Sequence, residues 1–207
     1  YDKDADHVEL YRKLDIPFIF PGRYLDGLQD HSVLHDDVAG QRAVIEHLLD
    51  KGHASILYLA GPDKVSNTPD RLAGLREAYE ARGIVSDESL IVHAAGHIED
   101  GYAITNQALN RGLGFTAVAC FNDMLAMGVL KSLHENNLSV PDDVEVCGYD
   151  NLYMSQFMQP SLTTVDVPKF RLGSVAMETL AAHIEDRTLP YAQKNIPARL
   201  IFRESTK

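Results

Sequence analysis

The sequence is short of several features that would assign it to a special class. Its 207 residues contain no tryptophan and only two cysteines, Cys120 and Cys147. Both cysteines lie in apolar, strand-like runs without a partner at metal-ligand spacing, which favours two buried, reduced thiols over a metal site. No apolar run is long enough to cross a membrane and no signal peptide is visible, so we expect a cytoplasmic protein without a membrane partner.

Positive charge is also scarce, because only 19 lysine and arginine residues stand against 30 aspartate and glutamate residues. The net charge of -11 and the pI near 5.2 describe a surface that repels phosphate backbones. These residues by themselves are therefore a poor candidate for binding nucleic acid. With 45% hydrophobic residues the chain has enough length for a core and for two lobes. It starts at Tyr1 without an initiator methionine, and we expect it to be part of something longer.

Motifs of catalysis and cofactor binding are missing as well. The segment GLGFTA, residues 112–117, leaves a helix and enters a strand, which is the wrong order for a dinucleotide fingerprint. There is no G-x-S-x-G elbow, and the H-x-x-x-H spacing of His31 and His35 spans a polar loop rather than a helix face. Asp36 and Asp37 could hold a cation, but helix capping is the better interpretation. We therefore expect no enzyme, no cofactor and no metal site.

What the sequence does contain is a regular alternation of strand-like and helix-like segments. The predicted helices are residues 5–15, 36–52, 69–83, 99–112, 123–137 and 167–187, and the predicted strands are residues 16–20, 54–61, 89–96, 116–120, 143–150 and 198–205. Strands that alternate with helices of this length predict an α/β fold whose parallel sheet is covered on both faces.

Polar and aromatic side chains follow these strands at the point where each strand ends. Ligands bind outside the carboxyl ends of the strands of an open parallel sheet, and that rule selects residues 21–23, 62–71, 97–98, 121–123 and 149–151. These segments contain two arginines, a histidine, two Asx pairs and two aromatic residues. Such donors, acceptors and ring faces predict a site for a polyhydroxylated or heterocyclic small molecule.

Each candidate also has a purely structural interpretation. An Asx residue can cap a helix or form a turn, an arginine can be solvated or pair with a surface carboxylate, and a loop histidine can simply be exposed. These alternatives apply to Asn122 or Asp123, to Asp150 with Asn151, to Arg23 and Arg71, and to His97. The shared position at one end of one sheet is what favours a site.

Five longer motifs follow one another over nearly the whole chain. They are DDVAGQRAVIEHLLDKGH, GPDKVSNTPDRLAGLREAYEARGI, TAVACFNDMLAMGVLKSLHENNLSVPDDVEVCGYDN, PSLTTVDVPKFRLGSVAMETL and RLIFREST. Their order and spacing resemble the LacI/GalR family of bacterial transcription repressors. The resemblance implies the effector-binding core of such a repressor, with the fold of periplasmic sugar-binding proteins.

That fold consists of two doubly wound parallel-sheet lobes joined by crossing strands. The resemblance assigns residues 1–35 and 168–194 to the N-terminal lobe, which is incomplete in this chain, and residues 36–167 and 195–207 to the C-terminal lobe. It places the effector in the cleft between the lobes. The implied ligand contacts are Arg71 of RLAG, Asp150 of GYDN, Asn122 and Phe121 of FND, Arg23 after a strand of the first lobe, Asn67 and His97. Within FND, one Asx residue would cap the helix while the other, with Phe121, faces the ligand.

The implied function is to sense a small molecule, with a sugar favoured, and to act on operator DNA through a headpiece outside these residues. A homodimer is expected because the helix from Asp123 carries more apolar positions than one buried stripe requires. These positions are Met124, Leu125, Met127, Val129 and Leu130. The alternative is a periplasmic solute-binding protein of an ABC transporter, which has the same fold. A helix-turn-helix or a secretory signal ahead of Tyr1 would distinguish the two.

Overall fold

The structure, a computed structural model, describes residues 6–207. The helices are α1 (Asp6–Lys13), α2 (Asp37–Asp50), α3 (Asn67–Glu80), α4 (Ile98–Asn110), α5 (Asp123–Glu135) and α6 (Lys169–Glu185). The strands are β1 (Phe20–Pro21), β2 (Ser32–His35), β3 (Ile56–Ala60), β4 (Ile91–His93), β5 (Ala117–Cys120), β6 (Glu145–Asp150), β7 (Thr163–Asp166), β8 (Lys194–Ile196) and β9 (Arg199–Ile201). The predicted first helix begins at Ala5, which lies outside the described residues.

The described strands form two sheets. The smaller sheet has the order β1-β2-β8 and is parallel throughout. The larger has the order β4-β3-β5-β6-β7-β9, in which only β9 runs antiparallel, against β7. The α/β fold with parallel sheets is therefore confirmed, apart from its closing strand. Since β8 ends at Ile196, the smaller sheet reaches two residues beyond the segment 168–194; the division into lobes remains a prediction.

Strand β1 is much shorter than the predicted strand of residues 16–20. Its pairing consists of Phe20 with Ser32 and Pro21 with Val33, and β2 is its only described neighbour. A segment at the edge of a sheet has one partner at most, and proline contributes no N–H to the ladder. The predicted strand of residues 16–20 is therefore wrong for residues 16–19 and is confirmed only at Phe20.

The larger sheet holds the main core on both of its faces. In β3, Ile56, Tyr58 and Ala60 join one buried cluster while Leu57 and Leu59 join the other. All five residues are buried, as the alternation of side chains across a doubly covered strand requires. Full burial of each large apolar side chain contributes about 1.5–3 kcal/mol, so this sheet is the stable platform on which the polar loops lie.

The described chain crosses between the two sheets three times. It leaves the smaller sheet after His35, returns to it after β7, and leaves it again after Ile196. Helix α6 nevertheless packs against β1 and β2, so its residues belong with the smaller sheet. None of the helices within residues 6–207 has both the length and the apolar character that a membrane span needs.

Candidate functional site

The candidate site lies where the carboxyl ends of β3, β5 and β6 of the larger sheet meet the end of β2 of the smaller sheet. Asp37 follows β2, Arg71 lies in the helix after β3, Phe121 follows β5, and Asp150 is the last residue of β6. The structure joins these residues around the buried guanidinium of Arg71, which is 4% exposed. These strand ends therefore lie close together, although they belong to two sheets and not to one; their role in binding a ligand stays a prediction.

Arg71 is held by a carboxylate, a carbonyl oxygen and two aromatic rings. Its Nε donates to Asp37 Oδ1 at 2.6 Å and its Nη1 donates to the carbonyl oxygen of Phe121. The guanidinium carbon lies 3.5 Å from the ring centroid of Tyr149 and 4.4 Å from that of Phe121. Its Nη2 lies 3.8 Å from Asp150 Oδ1. Arg71 is therefore an oriented, desolvated cation between two rings. The purely structural alternative, in which Arg71 pairs with a surface carboxylate, does not describe these surroundings.

Asp37 is the centre of this arrangement. Besides the bond from Arg71, its Oδ1 lies 3.0 Å from His35 Nε2, and its Oδ2 accepts from Asn67 Nδ2 at 2.5 Å. Burial would raise the pKa of the Asp37 carboxyl, but Arg71 and His35 outweigh burial and the pKa is lowered. Burial likewise opposes the charge on Arg71, yet Asp37 outweighs it and raises the pKa of the guanidinium. The pair therefore stays ionised in the interior.

Close packing of α2 on α3 explains why Arg71 meets Asp37. A Cβ on Gly74 would lie 2.2 Å from the carbonyl oxygen of Val38, so only glycine allows the two helices to approach this closely. Arg71 and Gly74 are neighbours on one face of α3, and Asp37 and Val38 open α2. The spacing in the segment RLAG thus serves packing and charge pairing at once.

Asp150 is the most accessible charged group of the arrangement, with a side chain that is 31% exposed. Burial, reinforced by Asp123 and opposed by Arg71, raises its pKa to about 6. Its backbone has φ +107°, and Asn151 follows with φ +47°. Asn151 lies in the left-handed region that asparagine adopts readily in turns, whereas the value at Asp150 lies outside it and is uncommon for a non-glycine residue.

Asp123 fixes the loop in which Asp150 and Asn151 lie. Its Oδ2 accepts from the backbone N of Leu152 at 2.7 Å and from Ser155 Oγ at 2.5 Å, while its Oδ1 accepts from Thr164 Oγ1 at 2.6 Å. Gly148 provides the space for this carboxylate, because a Cβ at residue 148 would lie 2.2 Å from Asp123 Oδ1. Asp123 is fully buried, and burial raises its pKa.

The two Asx residues of FND divide their roles differently from the expectation. Asn122 is the cap: its Oδ1 accepts from Leu125 N at 2.8 Å, and its Nδ2 donates to Gly96 O at 3.0 Å. The other residue, Asp123, does not face a ligand, because it is 0% exposed and bound to the loop after β6. The expectation of a second, ligand-facing Asx is therefore wrong. The amide of Asn122 keeps one N–H and one acceptor lone pair for a further partner, so its contact with a ligand stays a prediction.

The remaining predicted residues are spread along the same edge. Phe121 is 9% exposed, with its ring between Arg71 and Gly61, so little of the ring is open to solvent. Asn67 also donates to Gly22 O at 3.1 Å, beside the exposed Arg23. His97 is exposed at the start of α4, and its backbone N donates to Asp100 Oδ2 at 3.0 Å. No described contact joins His97 to Arg71, and the ligand-contact role of all seven predicted residues remains a prediction.

Two residues of the site, His35 and Asp37, were not among the predicted contacts, and Tyr149 was selected only as part of the segment 149–151. The signal for Asp37 was the doubled Asp36–Asp37, since a helix start needs one cap and Asp36 fills it by accepting from Ala39 N at 2.9 Å. Tyr149 is 0% exposed and lies under Arg71. Its position inside an apolar run is typical of an ordinary core residue. No group of three or more His, Cys, Asp or Glu residues that could hold a metal ion occurs in the described part of the chain.

Comparison with known proteins gives a consistent picture. Residues 45–206 match the family described as periplasmic binding protein-like domain. The chain is 31% identical over 202 residues to the HTH-type transcriptional regulator GalR of Escherichia coli K12, covering 98% of this chain and 59% of GalR. The chain thus spans about three fifths of the length of this curated relative.

Solved structures of transcription regulators also resemble the chain. The transcriptional regulator CelR–cellobiose complex superposes with a TM-score of 0.92 at 28% identity, covering 99% of this chain and 63% of that one. A LacI family transcriptional regulator from Enterococcus faecium with bound ribose gives a TM-score of 0.76 at 31% identity, covering 84% and 65%. The chain therefore belongs to the periplasmic binding protein-like domain family, in the form that LacI/GalR-type transcription regulators contain.

Proposed function

We propose that the chain is the effector-binding core of a LacI/GalR-type transcription repressor and that it binds an uncharged sugar beside Arg71 and Asp150. The observation that carries the proposal is the buried guanidinium of Arg71, which Asp37 and two aromatic rings hold 3.8 Å from the accessible carboxylate of Asp150. An oriented donor beside an acceptor suits ligand hydroxyls, which donate and accept at once. The chain's relatives are transcription regulators, not enzymes.

Charge supports an uncharged ligand over a phosphorylated one. The positive charge of Arg71 is matched by Asp37 at 2.6 Å, and the next charged group is the carboxylate of Asp150. The ammonium of Lys169 donates to the backbone oxygen of Asp150 and lowers the pKa of the Asp150 carboxyl, so these two charges offset each other. A dianionic phosphate entering here would meet a carboxylate before an unmatched cation, which costs free energy in a partly buried place.

Ring exposure supports a sugar over a nucleobase. Stacking needs an open ring face, but Tyr149 is 0% exposed, Phe121 is 9% exposed, and Arg71 covers a face of each. A sugar needs no such face, since hydrogen bonds to its hydroxyls supply the recognition. The bound cellobiose and ribose named for two related structures are in keeping with this class of ligand.

The wider role follows from the family. The regulator works in the cytoplasm as a homodimer and reaches operator DNA through a part of the protein outside these residues. Exposed apolar side chains after the Asp150 loop support the dimer: Tyr153, Met154 and Phe157 are 75%, 57% and 59% exposed. Such a patch on a globular protein marks a contact surface, and we assign it to the second copy.

A thermal-shift screen tests the ligand class. Neutral sugars, sugar phosphates and purines are added separately, and calorimetry then measures the affinity of any ligand that raises the melting temperature. A bound ligand at 100 times its dissociation constant stabilises the folded state by about 2.7 kcal/mol. We expect a shift with neutral sugars. A shift confined to purines or phosphorylated compounds would contradict the proposed class.

A further inference from the structure

We propose that the chain has a second ligand site, for a small molecule carrying an oxyanion, at the amino ends of β1, β2 and β8. A cavity of about 190 Å³ opens there. Its polar lining consists of Tyr11, Arg12, Asp15, His31, Arg187 and Tyr191. The cavity shares no residue with the site around Arg71.

The cavity lies at the opposite edge of the smaller sheet from the sugar site. Phe18 precedes β1, His31 immediately precedes β2, and Tyr191 precedes β8. Because these three strands are parallel, their amino ends meet at one edge. The carboxyl edge instead leads to Gly22 and Asp37. A ligand in this cavity would therefore contact the smaller sheet without obstructing the first site.

The charges that line the cavity favour an anion. Arg187 is positioned by donating to the backbone oxygen of Asp15 at 2.8 Å, and its Nη1 lies 3.7 Å from the Asp15 carboxylate. That carboxylate is 95% exposed, so water screens it strongly. Arg12 supplies a second guanidinium to the same cavity. Two forked donors in one cavity match the geometry of phosphate and carboxylate oxygens, in a chain whose overall charge is -11.

A stack of four rings gives this cavity a rigid wall. The ring centroids of Phe18 and His31 lie 4.5 Å apart, those of His31 and Tyr191 3.6 Å, and those of Tyr191 and His183 3.8 Å. The interplanar angles are 15°, 24° and 17°. His31 and Tyr191 line the cavity directly. Their place in the stack holds them in position before a ligand arrives, which lowers the entropic cost of binding.

His31 makes binding of an anion depend on pH. Its Nδ1 lies 3.2 Å from the carbonyl oxygen of Phe18, so Nδ1 carries the hydrogen and Nε2 gains the second proton. Burial lowers the pKa of His31, Arg12 and His183 lower it further, and Asp30 and the Phe18 carbonyl oppose them. Arg187, Asp15 and Tyr191 also face the cavity. A bound anion would favour the charged ring, so affinity rises as pH falls.

The volume limits the ligand to a small one. A cavity of about 190 Å³ corresponds to roughly six water molecules at about 30 Å³ each. That space suits inorganic phosphate, sulfate or a small carboxylic acid. Titration with phosphate, sulfate and benzoate separates a phosphate-type oxyanion from an aromatic carboxylate.

Calorimetry on the wild type, Arg12→Gln, Arg187→Gln and the control Arg76→Gln tests the site. Arg76 is an exposed arginine of α3 that pairs with Glu88 and does not line this cavity. We expect each cavity variant to weaken anion binding by about tenfold or more and the control to leave it unchanged. Sulfate keeps its charge between pH 5 and 8, so its affinity should rise on acidification in the wild type and lose that rise in His31→Gln.

Absence of binding at about 10 mM of all three anions would overturn the proposal, as would binding that both cavity variants retain. The second result would place the anion elsewhere, for example beside Arg23. Titration of a neutral sugar into Arg12→Gln gives an independent readout, because that residue lies far from Asp150 in the fold. Failure of the second site therefore leaves the proposed sugar site untouched, and failure of the sugar site leaves this one untouched.

Discussion

Asp36 and Asp37 are neighbours in the sequence, but they lie in different environments. Asp36 is exposed and caps α2, whereas Asp37 is 5% exposed and bonded to Arg71. Removing one partner of a buried ion pair leaves an uncompensated charge, which costs about 3–5 kcal/mol. Losing a cap costs about 1 kcal/mol. The same chemical change at adjacent positions therefore has very different expected effects.

We predict that Asp37→Ala lowers the free energy of unfolding by about 3–5 kcal/mol and Asp36→Ala by about 1 kcal/mol. Urea unfolding of both variants measures the difference. Equal losses would show that Asp37 is only a second capping residue and that the buried pair contributes little.

Asp150→Ala should abolish effector binding without unfolding the protein. A hydrogen bond to a charged group contributes about 1.5–3 kcal/mol, so losing two would weaken binding by roughly a hundredfold or more. Stability should not fall, because burial already disfavours this carboxylate. Calorimetric titration and thermal melts measure the two effects, with the exposed Asp142→Ala as control. Unchanged affinity with a lowered melting temperature would mean that Asp150 is only a turn residue.

The raised pKa of Asp150 also predicts a pH dependence of stability. In the unfolded chain the carboxyl ionises near its ordinary pKa of 3.8, whereas in the folded chain it ionises near about 6. Its contribution to stability is therefore fully present below about pH 4 and is lost as the pH rises through about 6. Asp150→Asn removes this loss. The free energy of unfolding of the variant, relative to that of the wild type, should therefore be larger at pH 7 than at pH 4 by on the order of 1–2 kcal/mol. A constant difference across denaturation curves at the two pH values would contradict the assignment.

At the scale of elements, two glycines in helices have opposite surroundings. A Cβ on Gly128 of α5 would lie 2.0 Å from the carbonyl oxygen of Ile98 in α4, whereas nothing lies within 4 Å of a Cβ on Gly173 of α6. Helices α4 and α5 are therefore in backbone contact. This packing also explains part of the apolar surplus of α5, since Leu125 and Val129 are 0% exposed.

Replacing each of these glycines with alanine should change stability in opposite directions. Gly128→Ala forces α4 and α5 apart and should cost about 1–3 kcal/mol or more. Gly173→Ala only raises helix propensity and should add about 0.5–1 kcal/mol. Thermal unfolding of the two variants measures both signs. A stabilising Gly128→Ala would refute close contact between these helices.

Elements and side chains differ in how far the sequence predicts them. The helix starts at Asp37 and Asp123 follow from local capping and periodicity, and both were predicted within a residue or two. The truncation of β1 was not predicted, because pairing depends on a neighbour and not on the strand's own residues. The bond between Asp37 and Arg71 was missed for a similar reason: it depends on how closely α2 and α3 pack. That Arg71 and Asp150 lie close together could be predicted because both follow strands of one parallel sheet, whose carboxyl ends meet; their contact with a ligand stays a prediction.

At the scale of the whole molecule, we predict a dimer through the exposed patch of Tyr153, Met154 and Phe157. Tyr153→Glu places a charge in this apolar surface and should shift the protein to a monomer at micromolar concentration. Val85→Glu, at a residue that is 92% exposed in the loop after α3, is the control and should leave the dimer intact. Sedimentation equilibrium measures the mass of each. A monomeric wild type, or the same mass for both variants, would remove the patch from the interface.

The three crossings of the chain between the two sheets also determine the order in which the sheets are completed during translation. Strands β3 to β7 follow one another along the chain, so most of the larger sheet can pair as soon as those residues leave the ribosome. The smaller sheet cannot, because Val33 of β2 must wait for Lys194 of β8. A lobe whose first strands are synthesised early is therefore finished almost last. Until then β2 keeps an unpaired edge, the kind of surface that chaperones protect in growing chains.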